Sequence, residues 1–130
     1  MGKDTDQDAF TPASTRLLRD QAIVEGQLPS ATRYLAVGGV RGWLYPIDTT
    51  PGDRFLLFAW FDGRAYQVKV VDPAVERDAD PHACHLFGDG RICLGEDPTG
   101  GMPSLAEAYA RSAMWCNGYS VYLRTRKFPF

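Results

Sequence analysis

The chain has no long apolar run, no excess of either charge, and little sulfur or imidazole. No stretch approaches the roughly 18 apolar residues of a membrane span, so no membrane role is expected. Fourteen Lys and Arg stand against sixteen Asp and Glu, a formal net charge of −2. Nothing in that balance draws the chain to nucleic acid or to an anionic surface. Met1 to Phe10 lacks the apolar core of a secretory signal, so a cytoplasmic location is expected. The three cysteines are odd in number; reduced thiols are then a simpler reading than a disulfide framework. No repeat, low-complexity tract or second domain is visible, and no cofactor is expected.

What is present suits one domain. The 130 residues are 45% hydrophobic and 23% charged, enough to bury a core without disulfides or metal. Residues 1–10 read as a flexible tail with little to pack, and 11–130 as the domain. Thr11-Pro12 starts a helix, with Thr as N-cap and Pro at the first helical position. Leu17, Gln21, Val24 and Leu28 share one side, with Leu18 beside them. Gly26 is the expected left-handed cap, with Pro29 beyond.

From Ala31 the pattern turns extended. Tyr34 to Val37, Gly42 to Ile47, Phe55 to Phe61 and Ala65 to Val71 are rich in aromatic and β-branched residues, as strands are. Gly38-Gly39, Thr49 to Asp53 and Asp62-Gly63 punctuate them, the last as a two-residue type I′ hairpin signal. Short connections imply an antiparallel four-strand meander. The unbroken apolar run Phe55 to Phe61 marks the most buried strand, covered by helices. Asp72 to Pro81 and Pro98 to Pro103 read as loops. Ser104 to Glu107 is a capping box opening a C-terminal helix. That helix sets Leu105, Ala108, Tyr109, Ser112, Trp115, Cys116 and Tyr119 along one side. Asn117-Gly118 either ends or bends it, and Tyr119 to Arg126 can continue it. Trp43, Trp60 and Trp115 read as core.

Between the sheet and the last helix lies Pro81 to Gly95, PHACHLFGDGRICLG. It holds both histidines and two of the three cysteines, on a connection of the kind that often carries function. Several readings of it stay open from residue type alone. Cys93, between Ile92 and Leu94, reads as a small buried hydrophobe, and Asp89-Gly90 as a plain hairpin turn. His82, Cys84, His85 and Cys93 are all zinc-ligand types, though Cys93 lacks the nearby partner that structural sites show. A cysteine–histidine hydrolase is chemically possible too, without the local patterns of the papain or caspase families.

His85-Leu-Phe-Gly-Asp-Gly-Arg-Ile-Cys93-Leu94 resembles the active-site segment of ubiquitin-conjugating enzymes. In that family a His-Pro-Asn tripeptide precedes a Gly-containing turn and an Ile-Cys-Leu whose cysteine carries ubiquitin as a thioester. The order of elements matches as well: helix, four-strand meander, cysteine segment, helix. The likeness covers residues 11 to 122 in architecture and 81 to 95 in motif. Trp115, Tyr119, Tyr122 and Pro129 look like the ends of bacterial relatives from conjugation operons linked to antiphage defence. The chain stops soon after its second helical region, so the family's usual C-terminal helices are not expected.

The resemblance implies an α+β ubiquitin-conjugating-enzyme-like fold, with Cys93 as the nucleophile. The implied partners are an activating enzyme, a ubiquitin-like modifier and a target protein carrying a lysine. His85 falls where the family has Asn, and Ala83-Cys84 replace His-Pro. An imidazole N–H can donate to an oxyanion as an amide does, and unlike an amide it titrates near neutrality. The plainer reading of His85 is a loop histidine bonded to a backbone carbonyl. Asp89, Glu96 and Asp97 lie close in sequence, and Asp89 is the candidate for orienting the attacking amine. All three also read as solvated loop charges. Arg91 reads as solvated; Cys84 and Cys116 read as packing residues. Two other classes remain: an inactive variant of the fold that binds ubiquitin-like proteins, and a small zinc-binding domain.

Overall fold

The structure is a computed structural model describing residues 12–75 and 84–130. The expected tail, the Thr11 cap, His82 and most of the loop before it lie outside those residues. Helix α1 spans Pro12–Gln27, followed by strands β1 (Arg33–Val37), β2 (Val40–Asp48), β3 (Arg54–Phe61) and β4 (Tyr66–Asp72), and helix α2 spans Leu105–Thr125. The strands form one antiparallel sheet in the order β1-β2-β3-β4. The molecule is α+β, with the meander that the turn signals predict.

Strand alternation sorts the side chains. Trp43, Tyr45 and Ile47 face the same way as Phe55, Leu57 and Ala59 and as Tyr66 and Val68. These residues are buried in one cluster with Leu28 and with Leu105, Ala108, Trp115, Cys116 and Tyr119 of α2. Leu17 and Val24 of α1 pack against the same cluster, so both helices cover one face of the sheet. The other face carries half-buried Leu44, Leu56 and Trp60. Phe58 is buried there, stacked on Trp60 with ring centroids 5.9 Å apart. It lies over Gly42, where a Cβ would meet the Phe58 ring at 2.7 Å. The apolar run of β3 therefore does not mark a strand sandwiched by helices. One face is covered by helices and the other by its own aromatic side chains, and Trp60 belongs to that second face rather than to the core.

Polar groups fasten the helices to the sheet. Tyr45 lies fully buried with its hydroxyl 2.7 Å from Ser112 Oγ, and Ser112 donates onward to the Tyr109 carbonyl at 2.8 Å. The single Ser112 proton is thereby used, so Tyr45 donates. Of the stripe expected on α1, Leu17, Val24 and Leu28 keep the expected side, and Gln21 alone departs from it. Gln21 is exposed, and Asp20 instead turns inward, accepting from the Tyr66 hydroxyl at 2.6 Å. Burial pushes the Asp20 carboxyl above its ordinary range, outweighing the Tyr66 bond and the nearby Arg19 and Arg16 charges. Leu18 is exposed. Gly26 stays within the helix, which runs to Gln27, so it is not a left-handed cap.

The remaining turns differ in detail. Gly38-Gly39 is the tight link between β1 and β2, closed by the Val37–Val40 pair. At the next hairpin the Asp62 amide donates to the Ala65 carbonyl at 2.9 Å, and the Asp62 carboxylate accepts from the Arg64 and Ala65 amides. The reversal falls at Gly63-Arg64, with positive φ at Gly63 alone. That is not the type I′ turn expected at Asp62-Gly63, because the Asp62 side chain closes the turn by accepting amides instead. Ser104 caps α2 by accepting from the Glu107 amide at 3.2 Å. The helix then runs unbroken through Asn117-Gly118 to Thr125. Asn117 spends its side chain on the Ala113 carbonyl and the Thr50 amide, tying α2 to the β2–β3 loop.

Candidate active site

The segment between β4 and α2 is stitched to the free edge of β4. The Ile92 amide donates to the Val68 carbonyl at 2.9 Å, and Tyr66 and Met102 exchange bonds of 2.7 and 3.0 Å. Within it, residues 85 to 93 fold back as a short hairpin. Phe87 donates to Arg91 at 2.8 Å, and Cys93 donates to the His85 carbonyl at 2.8 Å. The Gly90 amide donates to the Phe87 carbonyl at 3.0 Å, so the reversal centres on Gly88-Asp89 and Gly90 follows it at φ +90°; the hairpin read at Asp89-Gly90 is present, one residue earlier.

The alternation of an extended chain then decides the fate of Cys93. Ile92 and Leu94 are both buried, at 0% and 4% exposure. Cys93 between them turns to the other side and is half-buried. The reading of Cys93 as a buried hydrophobe fails for this reason: its neighbours take the core. Cys84 and Cys116 are the cysteines that pack, both at 0% exposure. Burial pushes the Cys116 thiol up to about 12. The Cys84 carbonyl accepts from Trp115 Nε1 at 2.7 Å.

His85 is paired with Cys93 across the hairpin, and both line one pocket of about 220 Å³. Its other walls are Leu94 and Gly95, then Arg111, Met114 and Trp115 from α2, and Phe128 and Phe130 from the segment after α2. The Cys93 Sγ lies 3.5 Å from the Gly95 carbonyl, within reach of its weak S–H donor. His85 has positive φ, 54°, uncommon for a residue with a Cβ. Its Nε2 is 3.1 Å from the Phe130 backbone oxygen, so one of its two nitrogens meets the main chain.

Arg91 holds the site together. Its Nε donates to Asp89 at 2.7 Å, and its Nη1 reaches Gln67 on β4 and the Thr99 carbonyl, each at 3.2 Å. The guanidinium also covers the Phe87 ring at 4.6 Å. One side chain thus joins the hairpin turn, the sheet edge and the loop after Cys93. Arg91 is not the solvated neighbour its sequence position suggests, because the fork finds partners from three segments.

Asp89 is not among the walls of the Cys93 pocket. Burial works against its charge, but the bonds from the Arg91 amide and guanidinium win and hold its carboxyl below the usual range. Asp97 accepts from the amide and hydroxyl of Thr99 and closes the next loop. That loop ends at Gly100, whose φ is +75° and whose absent Cβ leaves room for the Phe87 ring. Glu96 is exposed. Among the described residues no three His, Cys, Asp or Glu side chains converge on a metal-sized site.

Compared with protein-family models, curated proteins and solved structures, the chain matches none. No helix among the described residues is long and apolar enough to cross a membrane. The site must be argued from its own geometry. Sequence reasoning found Cys93 and His85 but missed Arg111, Met114, Phe128 and Phe130. Arg111 lies three residues before Met114 and four before Trp115 on α2; Arg111 and Met114 lie on the helix flank the apolar stripe leaves out, which was the available signal.

Proposed function

We propose that this chain is a ubiquitin-conjugating-enzyme-like protein. It accepts a ubiquitin-like modifier from an activating enzyme as a thioester on Cys93, and transfers it to a target lysine. The observation that carries this reading is the pairing of a half-buried cysteine with a histidine across a hairpin, both opening on one pocket. Thioester exchange asks that the sulfur be reachable and held, and the Arg91 clamp and the bonds to β4 supply the holding. The helix–meander–hairpin–helix order supports the same fold family.

The chemistry follows in two steps. The Cys93 sulfur attacks the incoming thioester carbonyl; a new C–S bond forms and the donor thiolate leaves. The lysine nitrogen then attacks that carbonyl, the C–N bond forms, the C–S bond breaks, and the Cys93 thiolate leaves. One amine proton must go to a base during the second step. His85 is that base in this reading, since its imidazole shares the pocket with Cys93. Asp89 acts indirectly, by holding Arg91.

The test is intact-mass analysis after incubation with a neighbouring activating enzyme, its modifier and ATP. The expected product is a thiol-labile adduct of one modifier mass, lost in Cys93→Ala and kept in Cys84→Ala and Cys116→Ala. Failure to load Cys93 from an activating enzyme that itself charges would overturn the reading in favour of a binding module.

A further inference from the structure

The segment Phe128–Phe130 touches the site from outside the motif. Phe128 meets the His85 ring edge-on at 5.3 Å and lies 6.4 Å from Trp115. Phe128 and Phe130 contact each other edge-to-face at 5.9 Å. Both rings sit over Gly118 in the middle of α2. A Cβ there would come within 2.7 to 2.9 Å of three of their carbons. A helix-interior glycine is destabilising relative to alanine, and this one has a packing reason: it is the seat for the two rings.

That seat brings the Phe130 backbone oxygen to His85 Nε2. As a carbonyl or a carboxylate, that oxygen accepts and does not donate. In the neutral ring the proton therefore sits on Nε2, and the lone pair is left on Nδ1. His85 also holds a left-handed backbone conformation, of the kind that persists where surroundings over-determine it. The other titratable or charged side chains lining the pocket are Cys93 on the hairpin and Arg111 on α2.

We propose that Phe128–Phe130, seated on Gly118, is a positioning element that fixes the His85 tautomer and ring so that Nδ1 serves as the proton acceptor in aminolysis. The proposal rests on the conjugating reading for the step it serves, but its structural half does not. The logic is that of an orienting group on a catalytic base. Here the orienting group is a backbone oxygen delivered by a docked aromatic segment.

Two readouts test it without any activating enzyme. The first is the nitrogen spectrum of the imidazole ring, with His85 identified by the signal lost in His85→Gln. The neutral ring should be wholly the Nε2–H form in the native protein. It should relax toward the mixture of the unfolded chain in Gly118→Ala and in the double variant Phe128→Ala, Phe130→Ala. Gly118→Ala favours the helix intrinsically, so a folded α2 is expected to survive the loss of the seat.

The second loads Cys93 by exchange with a small peptide thioester and follows its aminolysis by free lysine across pH. General base catalysis is worth about 10²- to 10⁴-fold. Both variants should lose at least about tenfold of it, with a changed pH profile, while thiol exchange at Cys93 stays within about twofold. A native ring in the Nδ1–H form or in the unfolded mixture would overturn the proposal. So would an equal loss in aminolysis and exchange, or an unchanged pH profile in the double variant. Failure of an activating enzyme to charge Cys93 would sink the conjugating reading and leave the tautomer result standing.

Discussion

Cys93 on the hairpin and Cys116 in the middle of α2 carry the same side chain in opposite settings. Cys116 faces the sheet with no exposure, and burial holds its thiol protonated, pushed up to about 12. Cys93 has core residues on both sides in sequence, yet it opens on a pocket beside an imidazole. The difference comes from period. On a helix, Cys116 belongs to the buried stripe with Ser112, Trp115 and Tyr119. In an extended segment, one-residue alternation expels Cys93 because Ile92 and Leu94 go in. The cysteine between Trp115 and Asn117 is thus buried on its helix, while the one between two apolar residues is left half-buried in an extended segment.

The strongest way to break that comparison is native-state thiol labelling. Cys93 should react at once, and Cys84 and Cys116 at least about 10³-fold more slowly, since they become reachable only by opening a core of ordinary stability. Comparable labelling of Cys116, read by peptide mapping, would refute the contrast. Next in size is Ile92→Ala. The side chain is fully buried, so truncation should cost about 2–5 kcal/mol by urea denaturation. It should also raise Cys84 and Cys116 labelling in step, and a surface-like loss would show that Ile92 does not anchor the hairpin.

Arg91→Lys sharpens the same point at the site. A point charge cannot replace a fork that reaches Asp89, Gln67 and Thr99 together. A loss of about 1–3 kcal/mol is expected, the scale of hydrogen bonds to a charged group. Proteolysis near residues 95–100 should rise with it, and unchanged cleavage would mean the loop after Cys93 is held without the clamp.

The smallest effect extends the comparison to charge. Asp20, like Cys116, is pushed toward its neutral form by burial. A carboxyl whose folded value is raised holds its proton more tightly in the native state. Stability is then greatest below the unfolded value of about 4 and falls as pH rises through the window above it. Asp20→Asn removes that slope while keeping an acceptor for Tyr66. The difference in melting temperature between variant and wild type should grow in the variant's favour from about pH 4 upward. A flat difference would place the ionised carboxylate in water.

Local rules made much of the molecule readable from its residues. Turn-forming dipeptides and aromatic runs gave the meander, because strand alternation and positive-φ turns are short-range properties. Ser104 and Glu107 marked the start of α2 because a cap needs only three residues. Gly-Asp-Gly before Ile-Cys-Leu located the hairpin and its cysteine. Gly26, Asp62 and Asp20 escaped for a physical reason in each case. Helix packing carried α1 past a glycine; a carboxylate closing its own turn moved the reversal; and the Tyr66 hydroxyl, 46 residues away, drew an acid inward.

By itself, then, the sequence determined an α+β chain with one hairpin bearing a cysteine and a histidine, since these follow from periodicity and turn chemistry. Only the tertiary structure decided that the helices share one face, that Arg91 clamps three segments, and that Phe128 and Phe130 return to His85. The Arg91–Gln67 and His85–Phe130 contacts join residues 24 and 45 positions apart, and no local pattern encodes which distant surface will be complementary once the core has closed.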